Sequence, residues 1–239
     1  DIPDFHLNGE VTHHAHIVSL PRRRIVLGAA MLTGTAVAGG AMGALAQTIP
    51  GKIPATPFQT IGPFYPIGLP TDQDADMTLV GNNKERATGT VIYVTGRVLD
   101  VEGAPVANAT LDIWQANAVG RYAHPADANK APLDANFQGF ARIRTAADGT
   151  YKFKSIKPGA YPTGVDDWSR PPHIHFDVKG AKSRAITQMY FEGEALNAKD
   201  RILNAIRNKD SVTAKLDAAT RAVEKGAEAF RWDVVLVAG

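Results

Sequence analysis

The sequence of 239 residues contains no cysteine. This absence excludes disulfides, zinc knuckles, iron–sulfur clusters and thiol nucleophiles, so any metal must be held by histidine, carboxylate or tyrosine side chains. The formal net charge is only +2, and apart from residues 22–24 the basic residues are scattered among acidic ones. Without a basic stripe to bind a phosphate backbone, we expect no nucleic-acid partner. The sequence also lacks a Gly-rich nucleotide-binding loop, which argues against a nicotinamide or flavin cofactor.

Residues 1–46 are predicted to be an N-terminal extension followed by a signal peptide. The run 22–46 has a basic cluster, an uncharged apolar stretch and a final Ala44-Leu45-Ala46 motif, the pattern of an export signal. Its paired arginines and mildly apolar core are typical of twin-arginine export. The alternative is a transmembrane anchor, because the run is long enough to cross a bilayer, although it contains few Leu or Ile residues. We therefore expect a periplasmic or secreted protein without a stable membrane anchor after cleavage near Gln47.

The rest of the chain, residues 47–239, is predicted to be one domain. It shows no internal repeat and no linker, and the whole chain is 44% hydrophobic and 21% charged, which is ordinary for a globular protein. The histidines at positions 13, 14 and 16 lie before this domain and are interpreted as incidental rather than as a metal site.

Short runs of β-branched and aromatic residues separated by turn residues predict an all-β fold. The predicted strands are 91–101, 109–116, 140–145, 151–156, 173–178, 185–191 and 230–237. Asp148-Gly149 predicts a hairpin between 140–145 and 151–156, and the Pro-rich residues 56–70 predict an extended arm. The amphipathic segment from 196 to about 229 is predicted to be helical. These elements favour a prealbumin-like β-sandwich with long loops and a short helical segment near the C-terminus.

Two histidines share one face of a predicted strand. In the motif RPPHIHF, His173 and His175 are two residues apart and project to the same side, whereas Ile174 and Phe176 point the other way, into the core. Two imidazoles fixed side by side on a strand can supply half of a metal site. Taken alone the pair is weak evidence, because most such histidines are ordinary surface or buried residues.

Two tyrosines follow predicted strands directly. Tyr122 ends GRY after the strand LDIWQAN, and Tyr161 lies in PGAYP after the strand YKFKSIK. Strand ends are where a scaffold commonly presents functional groups, although each tyrosine on its own could equally be a packed aromatic residue. Trp114 is predicted to pack in the core. Tyr65 could line a pocket, although the preferred interpretation is that it fastens the arm to the sandwich. Trp168 could shape the loop before Arg170 or lie on the surface.

The motifs GRY, PGAYP and RPPHIHF, in this order and spacing, resemble the intradiol ring-cleavage dioxygenases. The resemblance extends from residue 56 to the C-terminus and is strongest to the iron-binding β subunit of the branch that acts on protocatechuate. It implies that Fe(III) is held by Tyr122, Tyr161, His173 and His175. It also implies that Arg170 is the active-site arginine, that Gln188 lies beside the reacting carbons, and that substrate displaces Tyr161, which then takes a proton. The TGVDDWS segment after Pro162 departs from that branch, which puts the substrate pocket in question.

The implied reaction is Fe(III)-dependent cleavage of a catechol-type, protocatechuate-like ring by O2 to a cis,cis-muconate. The implied partners are a small aromatic diol, O2, and either further copies of the chain or a related subunit. One alternative is a secreted prealbumin-like binding or structural module without catalysis, suggested by the segment VTGRVLDVEGAPVANATLDIW. Another is a metal-dependent hydrolase that uses the histidine pair and a carboxylate as third ligand.

Overall fold

The computed structural model describes residues 52–218 and 224–239, all of which lie in one compact unit, Ala46–Gly239. The predicted signal peptide lies outside the described residues, so the export route stays a prediction. Within the described residues, no helix combines the length and the hydropathy needed to cross a membrane.

Strands dominate the described residues, as the sequence predicts. The helical elements found there are α1 (Arg201–Asn204) and two 3₁₀ turns at Ala195–Lys199 and Lys209–Val212. The strands are β1 (Val91–Asp100), β2 (Thr110–Trp114), β3 (Phe140–Arg144), β4 (Thr150–Ile156), β5 (Tyr161–Pro162), β6 (Ser169–Arg170), β7 (His173–Lys179), β8 (Arg184–Phe191), β9 (Thr213–Leu216), β10 (Glu228–Arg231) and β11 (Val234–Leu236).

All strands except β5 and β6, which pair with each other, form one connected sheet around a main core. β1 pairs antiparallel with β4 and in parallel with β10 and β11, which continue one register along it. From β10 the order continues β9-β8-β7-β2-β3. Inward side chains from both ends of this order, including Val94 of β1, Ile113 of β2 and Phe176 of β7, belong to the same buried cluster. The all-β prediction is confirmed, and the finer assignment to a prealbumin-like sandwich stays a prediction.

The hairpin predicted at Asp148-Gly149 is wrong. The chain does turn there, since Gly149 has φ +77 and its N–H donates to the carbonyl of Ala146 at 3.0 Å. However, β3 pairs with β2, and β4 pairs with β1. The turn therefore carries the chain from one part of the sheet to another. Turn residues determine where a chain reverses, but the partner of each strand depends on which faces can be buried together.

The long helix predicted from 196 to about 229 is also wrong. After α1 the chain forms β9, which pairs in parallel with β8 and antiparallel with β10. The side-chain amide of Asn204 donates to the carbonyls of Asn197, Ala198 and Asp200 at 3.0, 3.2 and 2.7 Å. Such local bonds to the backbone compete with helix propagation. Ala214, fully buried on β9, instead packs in the main core.

The closing strand predicted at 230–237 is interrupted at Trp232 and Asp233. The N–H of Trp232 donates to the carbonyl of Thr95 at 2.9 Å, and its own carbonyl accepts from the hydroxyl of Tyr151 at 2.7 Å. A Cβ at Gly96 would lie 1.7 Å from the Trp232 carbonyl oxygen. The interruption thus depends on a close backbone approach that only glycine permits at position 96.

Strand pairing brings the predicted site residues together. Trp114 of β2 and Gln188 of β8 stand opposite His175 of β7, one on each side. In the small β5–β6 ladder, Tyr161 stands opposite Arg170. The residues of RPPHIHF and PGAYP therefore meet at one end of the sheet.

Candidate active site

Tyr122, Tyr161, His173 and His175 form a closed group of four rings, which we call the ring cluster. The ring centroids of Tyr122 and Tyr161 are 5.6 Å apart, and those of His173 and His175 are 5.0 Å apart. The two pairs are joined by Tyr161–His173 at 5.6 Å and Tyr122–His175 at 6.2 Å. The structure thus brings together all of the side chains that the sequence singled out for a metal.

The backbone fixes the orientation of the His173 ring. Its Nδ1 lies 2.7 Å from the carbonyl oxygen of Pro171, a bond in which Nδ1–H must be the donor. This bond leaves Nε2 without a proton in the neutral ring, and Nε2 lies 3.4 Å from the hydroxyl of Tyr161. A hydrogen bond from the far ring nitrogen to a carbonyl is the usual way to orient a metal-binding histidine.

Tyr122 is buried, and among the described residues its hydroxyl has no hydrogen-bond partner. The ring is held by stacking on Phe64 at a centroid distance of 4.5 Å. The preceding loop is shaped by Asn117, whose side-chain oxygen accepts from the N–H groups of Val119 and Arg121 at 3.1 and 2.9 Å. A buried hydroxyl left unpaired costs about 1–3 kcal/mol, so its retention requires an explanation.

His175 is held between Trp114 and the N-terminal arm. Its ring stacks on the indole of Trp114 at a centroid distance of 4.9 Å and an interplanar angle of 13°. On the arm, a Cβ added to Gly62 would lie 3.1 Å from Cε1 of His175, so the backbone approaches the imidazole closely there. Trp114 is therefore buried as predicted, and it also positions a ring of the site.

Burial sets the protonation of the ring cluster. It lowers the pKa of His175 to about 3 and that of His173 well below the usual range, and the charge of Arg170 acts in the same direction. Both imidazoles are therefore neutral, which is the form that binds metals. Burial also raises the pKa of Tyr122 and of Tyr161, although Arg170 partly opposes this at Tyr161. A bound multivalent cation would reverse that preference and favour the phenolates.

Arg170 is buried beside the ring cluster in a polar network. Its Nε donates to Asp200 Oδ2 at 2.6 Å, and its Nη2 donates to Gln188 Oε1 at 2.6 Å and to the hydroxyl of Tyr190 at 3.0 Å. The amide of Gln188 donates in turn to the carbonyl of Thr60 in the arm at 3.0 Å. The structure thus places both Arg170 and Gln188 next to the ring cluster, in direct contact with each other.

Two members of this network were missed from the sequence. Tyr190 is two residues after Gln188 on β8, so the alternation of the strand could have identified it. Asp200 is fully buried, and its Oδ1 accepts from the N–H of Leu203 at 2.7 Å, which makes it the N-cap of α1. The incorrect long helix concealed this residue, because it placed Asp200 inside a helix rather than at its start.

A cavity of about 550 Å³ opens beside Tyr161, Arg170 and His175. Trp168 lines this cavity and lies against Arg170, whose guanidinium carbon is 6.0 Å from the indole centroid. Tyr65 lies elsewhere: its ring packs edge-on against Trp114 at 4.9 Å and its hydroxyl donates to a carboxylate of β2. The prediction that Tyr65 fastens the arm is confirmed.

The donor set fits a metal ion that prefers anionic oxygen. The unpaired hydroxyl of Tyr122 and the unprotonated Nε2 of His173 are both buried in one group of rings. Within residues 52–218 and 224–239, no three His, Asp or Glu side chains are placed to hold a metal together. A hydrolase site built from the histidine pair and a carboxylate is therefore not found there. The fold and the site define a β-sheet protein in which two phenol and two imidazole side chains meet in one largely buried group.

Comparison with known proteins identifies the family. Residues 61–238 match the Dioxygenase_C family of dioxygenases. The chain is 44% identical over 174 residues to the protocatechuate 3,4-dioxygenase beta chain of Burkholderia cepacia, covering 70% of this chain and 72% of that one. It is 32% identical to the alpha chain of the same enzyme from this organism, covering 68% of this chain and 84% of that one. The chain belongs to the intradiol ring-cleavage dioxygenase family and is an intradiol ring-cleavage dioxygenase.

A solved structure supports the fold. The dioxygenase domain of a dioxygenase–carbohydrate-binding protein fusion from Streptomyces sp. SirexAA-E superposes with a TM-score of 0.56 at 24% identity, covering 78% of this chain and 100% of that domain. Because the family match and the 44% identical relative identify the chain as a dioxygenase, the alternative of a binding or structural module without catalysis is set aside.

Proposed function

We propose that the chain binds Fe(III) through Tyr122, Tyr161, His173 and His175. The observation that supports this most is the buried, unpaired hydroxyl of Tyr122 in the same group of rings as the unprotonated Nε2 of His173. Two phenolates suit a trivalent cation better than neutral donors do, and two neutral imidazoles complete the set. The resemblance to dioxygenases with the same motifs supports iron as the metal.

We further propose that the chain cleaves a catechol-type ring between its two hydroxyl-bearing carbons, giving a cis,cis-muconate. Ferric iron, when bound, would draw electron density from the diol and so make the ring reactive toward O2. Both oxygen atoms of O2 enter the product, and the substrate supplies all of the electrons that O2 accepts. No external reductant is needed for this balance.

The two tyrosines are expected to have different roles. Tyr161 lines the cavity, whereas Tyr122 is buried behind Phe64 and does not line it. Tyr161 can therefore meet an incoming diol, and its phenolate oxygen can take one of the hydroxyl protons of the substrate. Tyr122 remains a permanent donor. This division supports the prediction from the family resemblance that Tyr161 is the tyrosine displaced by substrate.

Arg170 is placed to stabilise negative charge on the substrate. It lines the cavity, and its guanidinium is fixed by Asp200 and Gln188 before any substrate binds. A fixed cation in a site with little water stabilises a developing oxyanion without reorganisation during the reaction. Gln188 orients this guanidinium and lies one strand away from His175.

The location and assembly of the chain are also proposals. The pattern of residues 22–46 supports twin-arginine export to the periplasm or beyond, with removal of the signal before residue 47. The curated relatives include an alpha chain and a beta chain of one enzyme. This supports an oligomer, formed either by copies of this chain or with a related subunit.

The test is to load the purified chain with Fe(III) and record its visible spectrum and its uptake of O2 with catechol. We expect a phenolate-to-iron band and one O2 consumed per catechol, without NADH. Tyr161→Phe should shift the band, whereas Tyr151→Phe, a matched change at a buried tyrosine outside the site, should not. A colourless protein, or an unshifted band in Tyr161→Phe, would contradict the ligand assignment.

A further inference from the structure

The cavity beside the ring cluster is much larger than one benzenediol ring. Its volume is about 550 Å³, whereas a cavity of about 150 Å³ is enough to bind benzene. Sites of roughly 300–1,000 Å³ are typical for ligands of drug size. Even after a metal ion is added, a single ring would leave a large part of this space to water. The size therefore points to a substrate with an additional group on the ring.

The cavity is lined by small residues and by larger apolar side chains, with Thr60, Asn129 and Thr163 as uncharged polar groups among them. Ala128 and Gly164 line it with almost no side chain, and a Cβ added at Gly164 would meet nothing within 4 Å. The larger apolar surfaces that line it are Phe64, Trp168 and Ile202. Aromatic and aliphatic walls of this kind stabilise a ligand by removing its apolar surface from water.

The charges that line the cavity do not favour an anionic substituent. The charged side chains among its lining residues are Arg170 and Asp127. Arg170 is already paired with Asp200 at 2.6 Å and also serves the diol end of the site. Asp127 is itself an anion, and its Oδ2 accepts from the backbone N–H of Tyr122 at 2.7 Å. A carboxylate on the substrate would lose water here without gaining a free cationic partner.

Arg201 is the next cation to consider. Its guanidinium carbon lies 5.1 Å from the ring of Trp168, and its Nη2 is paired with Asp166 at 3.1 Å. It is not among the residues that line the cavity. The carboxylate of Asp166 offsets the charge of Arg201, and both side chains are exposed to water, which screens that charge.

We infer that this cavity takes a catechol whose ring carries a bulky, uncharged substituent, such as an alkyl or aryl group. The inference rests on the proposed function, because the diol must be held beside Tyr161 and Arg170. The substituent then packs against the apolar walls formed by Phe64, Trp168 and Ile202.

The preference for a bulky substituent is tested by comparing 4-phenylcatechol with catechol as substrates of the iron-loaded chain. We expect the ratio of their kcat/KM values to be about tenfold or more in favour of 4-phenylcatechol, because the aryl group is buried on binding. Ala128→Phe should reduce this ratio by about tenfold, since the new ring occupies the same space. Ala135→Phe, the same change at an exposed alanine outside the cavity, should leave the ratio as in the parent. A ratio in favour of catechol, or one that Ala128→Phe does not alter, overturns the inference.

The preference for an uncharged substituent is tested by comparing 3,4-dihydroxybenzoate with its methyl ester. The Kd of each ligand is measured by calorimetry on the metal-free and on the iron-loaded protein. We expect the ester to bind about tenfold more tightly, because the carboxylate loses its hydration. Arg201→Gln should leave this difference unchanged. Tighter binding of the carboxylate overturns the inference, and loss of that preference in Arg201→Gln would identify the cation responsible.

The proposed ring-cleavage reaction and the proposed preference for a bulky, uncharged substituent can be contradicted separately. If no catechol is cleaved but the ester still binds more tightly than the carboxylate to the metal-free protein, the proposed reaction is wrong and the preference of the cavity for an uncharged substituent stands. If catechol is cleaved and the order of the substituted ligands is reversed, the reaction stands and this inference is wrong.

Discussion

Strand β7 places two polar clusters on one face, and the two are built in opposite ways. One end carries His173 and His175 of the ring cluster. The other end carries Asp177 and Lys179, which join a second group that we call the ion-pair cluster. Its members are Asp112, Arg142, Asp177, Lys179 and Arg184.

In the ion-pair cluster the buried oxygens are all paired. Asp112 is fully buried and accepts from Arg142 at 2.5 and 2.8 Å, from Lys179 at 3.0 Å and from Tyr65 at 3.0 Å. Asp177 accepts from both ends of the Arg184 fork at 2.7 Å. Burial alone would raise the pKa of Asp112, but the hydrogen bonds from Arg142 and Lys179 outweigh it and hold the pKa below its usual value.

In the ring cluster the buried hydroxyl of Tyr122 and Nδ1 of His175 have no partner among the described residues. The same strand, with the same burial, thus carries one fully satisfied network and one unsatisfied group. Paired polar groups of this kind stabilise the fold, whereas the unpaired groups that lie together in the ring cluster are placed to meet a ligand. Substitutions in the ion-pair cluster should therefore change mainly stability, and substitutions in the ring cluster should change mainly activity.

The largest expected effect is on activity, in Tyr122→Phe. Loss of a metal ligand should reduce turnover by about 1,000-fold or more, while the metal-free protein should be as stable as the parent or about 1 kcal/mol more stable, because an unpaired hydroxyl is removed. Oxygen uptake and urea unfolding measure the two quantities. The matched control is Tyr151→Phe, whose hydroxyl bonds to the carbonyl of Trp232 at 2.7 Å and which should lose stability. A clear loss of stability in metal-free Tyr122→Phe would break the comparison.

The next effect is on stability, in Asp112→Ala. Removing Asp112 takes away the partner of Arg142 and Lys179, but these side chains are 35% and 38% exposed and water can solvate them. The change should therefore cost about 1–3 kcal/mol of unfolding free energy. The folded-state pKa of Asp112 is depressed, so its contribution is complete above about pH 4 and is lost as the pH falls through the folded-state value. Unfolding measured against pH should show a weaker acid dependence in Asp112→Ala than in the parent. An unchanged pH profile would mean that other carboxylates determine the acid stability.

Arg170 combines features of the two clusters. It is buried and paired, like Asp112, but it also lines the cavity beside the ring cluster. Arg170→Lys keeps the charge beside Asp200 but loses the planar fork. We expect a loss of about 100-fold in kcat/KM, with iron content and visible band retained. Asp200→Asn, which keeps Arg170 but weakens its hold, should give a smaller loss in kcat. If Arg170→Lys changes only stability, Arg170 belongs with the structural network.

The smallest expected effect is in Tyr65→Phe. Its hydroxyl is one of several donors to Asp112, so its loss should cost about 1 kcal/mol of unfolding free energy, with turnover unaffected. Thermal unfolding and oxygen uptake suffice to check this. A large loss of activity would show that the arm influences the ring cluster through the edge-on contact of Tyr65 with Trp114.

Much of the candidate site could be predicted from the sequence because it depends on local geometry. Side chains alternate along a strand, so His173 and His175 had to share a face, and Ile174 and Phe176 are indeed fully buried in the core. Tyr122 and Tyr161 were identified by their position after strands and by the family resemblance. Asp200 and Tyr190 were not identified, because their role arises from contacts with Arg170 that join separate segments of the chain.

The sequence by itself determined the all-β class, most strand positions, the turn at Asp148-Gly149 and the four residues of the ring cluster. Only the tertiary structure decided which strands are neighbours, that the segment after α1 is a strand, and that Asp200 holds Arg170. The physical reason is that alternation and turns follow from the backbone geometry of a few adjacent residues, whereas pairing and burial are shared among residues far apart in the chain.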